Sequence, residues 1–166
     1  TAYRRQRQMC IRDRYVAVES RHNKKPQAGG GWGNNHLILL VQNQIGYKNL
    51  MKLVTAGYLE GFYYRPRIDM ELLKEHSEGL VCLSGCLKGE IPEKMLNGDY
   101  EGARDAALRF SEIFSDRFYL EVQNHGIPEE EANIENMKKL AHDLSLPIVC
   151  TNAVSYTHLT LPTICS

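Results

Sequence analysis

Two side chains have the chemistry of soft metal ligands: His36, heading the apolar run His36 to Val41, and Cys86, in the string Ser84-Gly85-Cys86 after the apolar run Leu80 to Leu83. Neutral imidazole and thiolate are donors that zinc prefers. In parallel α/β folds the chemistry gathers at the carboxyl ends of strands, which is where Cys86 falls if Leu80 to Leu83 is a strand. Cys82 and Cys86 also form C-x-x-x-C, but on a strand leading into a loop that spacing is a weak zinc pair. Cys82 reads better as a small core residue. His36, with no partner adjacent in sequence, reads first as a core histidine. From the residues alone the reading stops at an α/β domain that could bind a metal through His36, Cys86 and partners not named.

Three further stretches carry chemistry-bearing residues. Phe62-Tyr63-Tyr64-Arg65-Pro66-Arg67 sets three aromatic rings beside two arginines, a composition that stacks bases and holds phosphates. The same composition serves a packed loop with snorkelling arginines, the reading that spacing alone favours. The glycine run Gly29-Gly30-Gly31-Trp32-Gly33 lacks the Lys-Ser/Thr of a phosphate loop and the G-x-G-x-x-G that opens a helix, so it reads as a surface loop. His125, in Gln123-Asn124-His125-Gly126 after a strand, could touch a site, although a loop histidine is more often solvated or hydrogen-bonded.

The elements that position these residues alternate. Tyr15 to Val18 is the end of a strand, His36 to Val41 a strand buried on both faces, and Gln44 to Tyr58 a helix with Leu50, Leu53, Val54 and Gly57 along one side. Asp69 caps a short helix to about His76, Leu80 to Leu83 is a strand, and Glu90 to Leu96 is a short helix. Asp99 caps a helix whose stripe Tyr100, Ala103, Ala106, Ala107, Phe110, Ile113 and Phe114 is core packing. Phe118 to Val122 is a strand, Pro128 to Leu144 a helix with an acidic first turn, and Pro147 to Cys150 a strand. Strand and helix in turn predict an α/β fold, a parallel barrel or an open sheet.

Composition bounds the function. The chain has 166 residues, short of the roughly 250 of a closed eight-stranded α/β barrel. Five cysteines without a scaffold-like rhythm point to reduced thiols and a cytoplasmic setting, with no signal peptide or membrane span. Net charge is zero, yet residues 1–14 hold five arginines and one acid while residues 153–166 hold no charged residue. The 15 basic and 19 acidic residues left between Tyr15 and Asn152 exclude a general nucleic-acid binder by charge alone. Arg4, Arg5, Arg7, Arg12 and Arg14 could form a phosphate-binding arm. The preferred reading is that residues 1–14 and 153–166 are non-native, resembling translated sequencing-adapter read-through, with 15–152 the natural part.

The strings NHLILLVQNQIGYKNLMKLVTAGYLEGFYYRPRID, HSEGLVCLSGCLKGEIP, RFYLEVQNHG and LPIVCTN, in that order, resemble the PHP (polymerase and histidinol phosphatase) domain of the alpha subunit of bacterial DNA polymerase III. The resemblance spans Tyr15 to Asn152. It implies the C-terminal part of a distorted (β/α)7 PHP barrel, incomplete here. It also implies that His36 and Cys86 are ligands of a zinc or manganese cluster, with Arg65 and Arg67 as phosphate or DNA contacts. Some members use that cluster for 3′→5′ exonuclease chemistry; in others the domain is structural and docks a proofreading exonuclease subunit. The full-length subunit performs template-directed nucleotidyl transfer with magnesium and partners DNA and the replisome, through regions absent here. A stand-alone phosphatase of the same superfamily is disfavoured by the polymerase-type strings GYKNLMKLV and EGFYYRPRID.

Several family ligands have no counterpart. The His-x-His motif and the later Asp-His pair belong to a missing N-terminal half. Asp13 stands where a glutamate is expected, and Ala153 and Ser155 occupy the closing Asp-x-His. The expectation is therefore a fragment with a remnant metal site, inactive as a nuclease and poorly soluble. One conflict remains: in an all-parallel sheet His36, which precedes its strand, would sit at the rim opposite Cys86. Either that strand runs antiparallel or it starts later, and the motif is preferred over the assumed direction.

Overall fold

The computed structural model of the chain describes residues 12–17, 20–24 and 34–151. The glycine run, Arg4, Arg5 and Arg7, the side chain of Asp13, and Asn152, Ala153 and Ser155 lie outside the described residues. The strands are β1 (Arg12–Ala17), β2 (Asn34–Val41), β3 (Arg67–Ile68), β4 (Leu80–Leu83), β5 (Phe118–Gln123) and β6 (Ile148–Thr151). Between them lie the helices α1 (Gln44–Leu59), α2 (Met70–Glu75), α3 (Glu90–Leu96), α4 (Tyr100–Phe114) and α5 (Pro128–Leu144), with a 3-10 turn over Ser115–Arg117. The strand whose end the sequence places at Tyr15 to Val18 begins at Arg12, because ladder pairing is a backbone property that side-chain type does not announce.

The six strands make one open sheet in the order β3-β1-β2-β4-β5-β6. β2 is antiparallel to both β1 and β4, whereas β1 with β3, β4 with β5 and β5 with β6 pair in parallel. The sheet is thus mixed rather than parallel. An apolar run reports that a strand is shielded, not which way it runs. Nor are both faces of β2 equally covered: Leu37, Leu39 and Val41 are buried under helices, while His36, Ile38 and Leu40 on the other face are only partly covered.

Local sequence explains where the helices sit. Asn43 caps α1 by accepting the Gly46 N–H at 2.9 Å, and Asp69 and Asp99 cap α2 and α4 through the N–H groups of Leu72 and Gly102. α1 presses Leu50 and Leu53 onto the sheet, and a Cβ at Gly46 would stand 1.8 Å from the Gly79 carbonyl, so only glycine allows that approach. On α4 the expected stripe is buried through Ala103, Ala106, Ala107, Phe110 and Phe114, and Phe110 stacks on Phe118 of β5 with ring centroids 5.6 Å apart. On α5 Met137, Leu140 and Ala141 are buried, and the first turns bury Glu130 and Asn133 while Ala132 is exposed.

Candidate metal centre

The reversed direction of β2 positions the site. Because β2 runs against β1 and β4, its first residues lie at the same rim as the carboxyl ends of those strands. His36 therefore meets the chain that leaves β4. Its backbone N–H donates to Lys88 O at 2.9 Å. Gly85, at φ +86°, passes so close that a Cβ there would stand 2.6 Å from His36 O. A side chain at position 85 would push the loop off the strand. The loop is held from its far side by Ser84, whose N–H donates to Tyr119 O at 3.0 Å and whose Oγ accepts the Glu121 N–H at 2.9 Å.

This packing brings Cys86 Sγ to 3.7 Å from His36 Nδ1. Zinc bonds of about 2.3 Å to sulfur and about 2.05 Å to nitrogen, at a tetrahedral angle, put the two donors roughly 3.6 Å apart. The residues present fit one cation of that class. They do not fit a cluster: among the described residues no group of three or more His, Cys, Asp or Glu is gathered to hold a metal ion. Cys82, two residues along β4 from Ser84, is fully buried; burial first, and then the charge of Glu121, push its thiol well up. It belongs to the core, as its place in the sequence suggests.

The two arginines two residues apart have different surroundings. Arg65 is exposed, and its guanidinium carbon lies 4.7 Å from the centre of the Tyr15 ring. Tyr15 in turn meets His36 edge to face, with centroids 4.8 Å apart and planes at 78°. Arg65, Tyr15, His36 and Cys86 thus form one continuous row at the rim. Arg67 is 3% exposed. Its guanidinium donates to Gly61 O at 3.2 Å, Asn23 O at 2.9 Å and Arg21 O at 3.3 Å, and it lies over Tyr63. Burial lowers its pKa, against a smaller opposing influence of Tyr63. These bonds tie segment 20–24 to the end of α1.

His125, at the same rim beyond β5, is bound to Glu130: the backbone N–H donates to Oε2 at 2.6 Å and Nδ1 lies 2.8 Å from Oε1. Burial opposes ionisation of Glu130, but the His125 side-chain and backbone contacts together hold its carboxyl below the usual range. Two residues near the site carried no weight in the sequence reading. Tyr15 was a strand residue only, and nothing in its spacing distinguishes it. Glu121 had a signal: it is a carboxylate flanked by Leu120 and Val122 inside an apolar strand, and such a position is costly unless occupied for a reason.

The sequence model of the PHP domain matches residues 8–125. The chain is 44% identical over 144 residues to the DNA polymerase III subunit alpha of Borreliella burgdorferi, covering 87% of this chain and 12% of that protein. It is 44% identical over 142 residues to the subunit of the same name from Thermus aquaticus, covering 86% and 12%, and 43% identical over 143 residues to that of Treponema pallidum, covering 86% and 12%. The chain thus spans about an eighth of the length of these relatives. No described helix is long and apolar enough to cross a membrane. A family match over residues 8–125, joined to a rim histidine and cysteine on an α/β sheet, leads to one statement of kinship: the chain belongs to the PHP domain family.

Proposed function

We propose that this chain is part of the PHP module of a bacterial replicative DNA polymerase alpha subunit, with a reduced metal site and no catalytic activity of its own. The observation that carries the reading is the 3.7 Å approach of His36 and Cys86 in a chain 44% identical to named alpha subunits. On this reading the open sheet is the later portion of a (β/α)7 barrel, residues 15–152 are the natural segment, and 1–14 and 153–166 are non-native.

His36 and Cys86 would hold one zinc- or manganese-class cation. Bound there, the cation would supply a Lewis acid able to polarise a phosphoryl oxygen. The protein groups do the rest. Gly85 and the Lys88 carbonyl hold the His36 backbone against the Cys86 loop. Tyr15 packs edge-on against the imidazole and limits its rotation. Arg65 is the one of the two loop arginines available to a phosphate, since the guanidinium of Arg67 is engaged by carbonyls inside the fold. In the whole subunit, DNA and replisome proteins would be the partners, magnesium would serve the polymerase site, and the setting would be the cytoplasm.

A second reading makes the module a brace that docks another protein, such as a proofreading exonuclease subunit. It is favoured by the outer side of α1, where Tyr47, Met51 and Tyr58 are exposed at helical spacing and Tyr58 stacks on exposed Phe62.

With labelled single-stranded DNA and zinc or manganese, the purified chain is expected to give no 3′→5′ cleavage above a metal-only control. Robust cleavage that disappears in the double variant His36→Ala, Cys86→Ala would show instead an active nuclease and overturn the reduced-site reading.

A further inference from the structure

The outer side of α1 carries two rows of side chains that run along the helix together. One is mainly aromatic and apolar: Tyr47, Met51, Thr55 and Tyr58 follow at helical spacing, and all four are exposed. Thr55 donates its hydroxyl to Met51 O at 2.9 Å, which occupies the polar atom of that row within the helix itself. The other row is basic: Lys48 and Lys52, both exposed, lie one turn apart beside the first. The helix that bears both rows contains no Asp or Glu.

The turn after α1 extends the aromatic row. Phe62 is half exposed and stacks on Tyr58, with centroids 6.3 Å apart and planes 20° from parallel. Two residues on, Tyr64 is 65% exposed at φ +57°, a left-handed conformation that is costly for a bulky side chain. The turn is closed by the Tyr63 N–H, which donates to Arg65 O at 3.1 Å. It divides the loop in two: buried Arg67 lies over Tyr63, while Tyr64 and Arg65 stand outside. From Gln44 to Arg67 the chain sets Lys48, Lys52, Arg65 and Arg67 against one acid, Glu60, and Arg21 Nε occupies that carboxylate at 2.7 Å. A domain that is acidic as a whole is therefore positive where its rings are exposed.

We propose that the outer side of α1 and the turn after it form a ledge for single-stranded nucleic acid, on which unpaired bases stack against Tyr58, Phe62 and Tyr64 while the phosphates of the same strand run beside Lys48, Lys52 and Arg65. The proposal extends the reading of Arg65 as a phosphate contact and rests on that reading for this residue alone. The same side of α1 is the docking surface of the second reading, and two features favour a nucleic acid there. Lysine is depleted at protein interfaces, whereas basic side chains interleaved with rings serve sequence-tolerant binding of single strands. Flat rings, two of them already nearly parallel, also offer faces that any unpaired base can stack on and that the bases of a duplex, stacked on one another, cannot use. Stacking reads no base edge, so binding is expected to be insensitive to sequence.

Fluorescence anisotropy of a labelled oligothymidylate, and of a duplex of the same length, titrated with the 166-residue chain tests the ledge. The arginines of residues 1–14 are common to every variant, so the readout is the difference from wild type. The double variant Tyr58→Leu, Phe62→Leu and the single variant Tyr64→Leu keep apolar surface but remove the rings. Each is expected to weaken single-strand binding at least about fivefold and to leave duplex binding within about twofold. The double variant Lys48→Gln, Lys52→Gln should lower the slope of log affinity against log salt by about one. Since all these side chains are exposed, the melting temperatures of the variants should match that of the wild type. Ring variants that bind single strands like the wild type, while Arg65→Ala weakens binding, overturn the ledge and leave the phosphate contact standing. Wild-type binding in every variant, Arg65→Ala included, overturns both. Equal losses on single strand and duplex overturn stacking, and with it the proposal.

Discussion

Arg67→Ala is expected to lower the unfolding free energy by about 3 kcal/mol and the melting temperature by on the order of 10 °C. The guanidinium supplies donors to the carbonyls of Gly61, Arg21 and Asn23, two of which lie in segment 20–24, the same segment that Arg21 ties to Asp69 and Glu60. Removing it leaves buried acceptors unpaired and also strips the ring of Tyr63 of its cover. Arg67→Lys should recover little, because a point-charge ammonium cannot reach carbonyls on both sides as a planar fork does. Arg65→Ala, by contrast, should change stability by no more than about 0.5 kcal/mol, since the side chain is exposed and its guanidinium lies over the face of Tyr15. Chemical denaturation of the three variants measures this. An Arg67→Ala chain as stable as the wild type would mean that the loop bonds contribute nothing.

The second large effect is at Asp69. It is 3% exposed, caps α2 through the Leu72 N–H, and accepts both the backbone N–H and the guanidinium of Arg21 at 3.0 Å. Asp69→Ala removes a cap worth about 1 kcal/mol and leaves a largely buried arginine short of a partner, so a total of about 3 kcal/mol is expected. Glu60, 2.7 Å from Arg21 Nε, and Glu71 at 3.5 Å keep the loss from being larger. The pH dependence has a definite sign. Burial raises the Asp69 carboxyl, but the Arg21 and Leu72 N–H groups and the Arg21 guanidinium outweigh it and hold it below the usual range. A group depressed in the folded state stabilises above its unfolded value, about 3.9, and that contribution is lost as pH falls through the folded value. Asp69→Asn keeps the cap acceptor and loses only the charge. The melting-temperature gap between wild type and Asp69→Asn should therefore be steady from neutral pH to about pH 4 and close below it; a gap that persists to pH 2 would contradict this account.

Much of this fold is written in local sequence, because caps and stripes are local. Asp69 and Asp99 precede their helices as side chains that accept N–H bonds, and the stripe from Ala103 to Phe114 buries the face its spacing demands. Strand β4 was legible residue for residue from the run Leu80 to Leu83. The direction of β2 was not, since Leu37, Leu39 and Val41 would be buried equally in a strand running either way. That direction decides whether His36 reaches Cys86. Only the family resemblance, which required the two to meet, pointed to it. Strand β3 was missed altogether: two residues, Arg67 and Ile68, in a loop rich in aromatics carry no periodicity to read. Arg65 and Arg67 have the same chemistry and adjacent odd positions around Pro66, and what separates them is the distant segment Arg21 to Asn23 that surrounds only one of them.

The central claim is that His36 and Cys86 together bind one divalent cation, and protection of individual thiols tests it most directly. Iodoacetamide labelling of the native chain with and without zinc, read by peptide mass spectrometry, reports each cysteine separately. Exposed Cys150 should label quickly under both conditions, and Cys82, buried and with its thiol pushed well up, should label slowly under both. Cys86, half-buried beside His36, should label in the absence of zinc and be protected at least several-fold in its presence, with protection lost in His36→Ala. Equal labelling of Cys86 with and without zinc, or protection that survives His36→Ala, would contradict the claim.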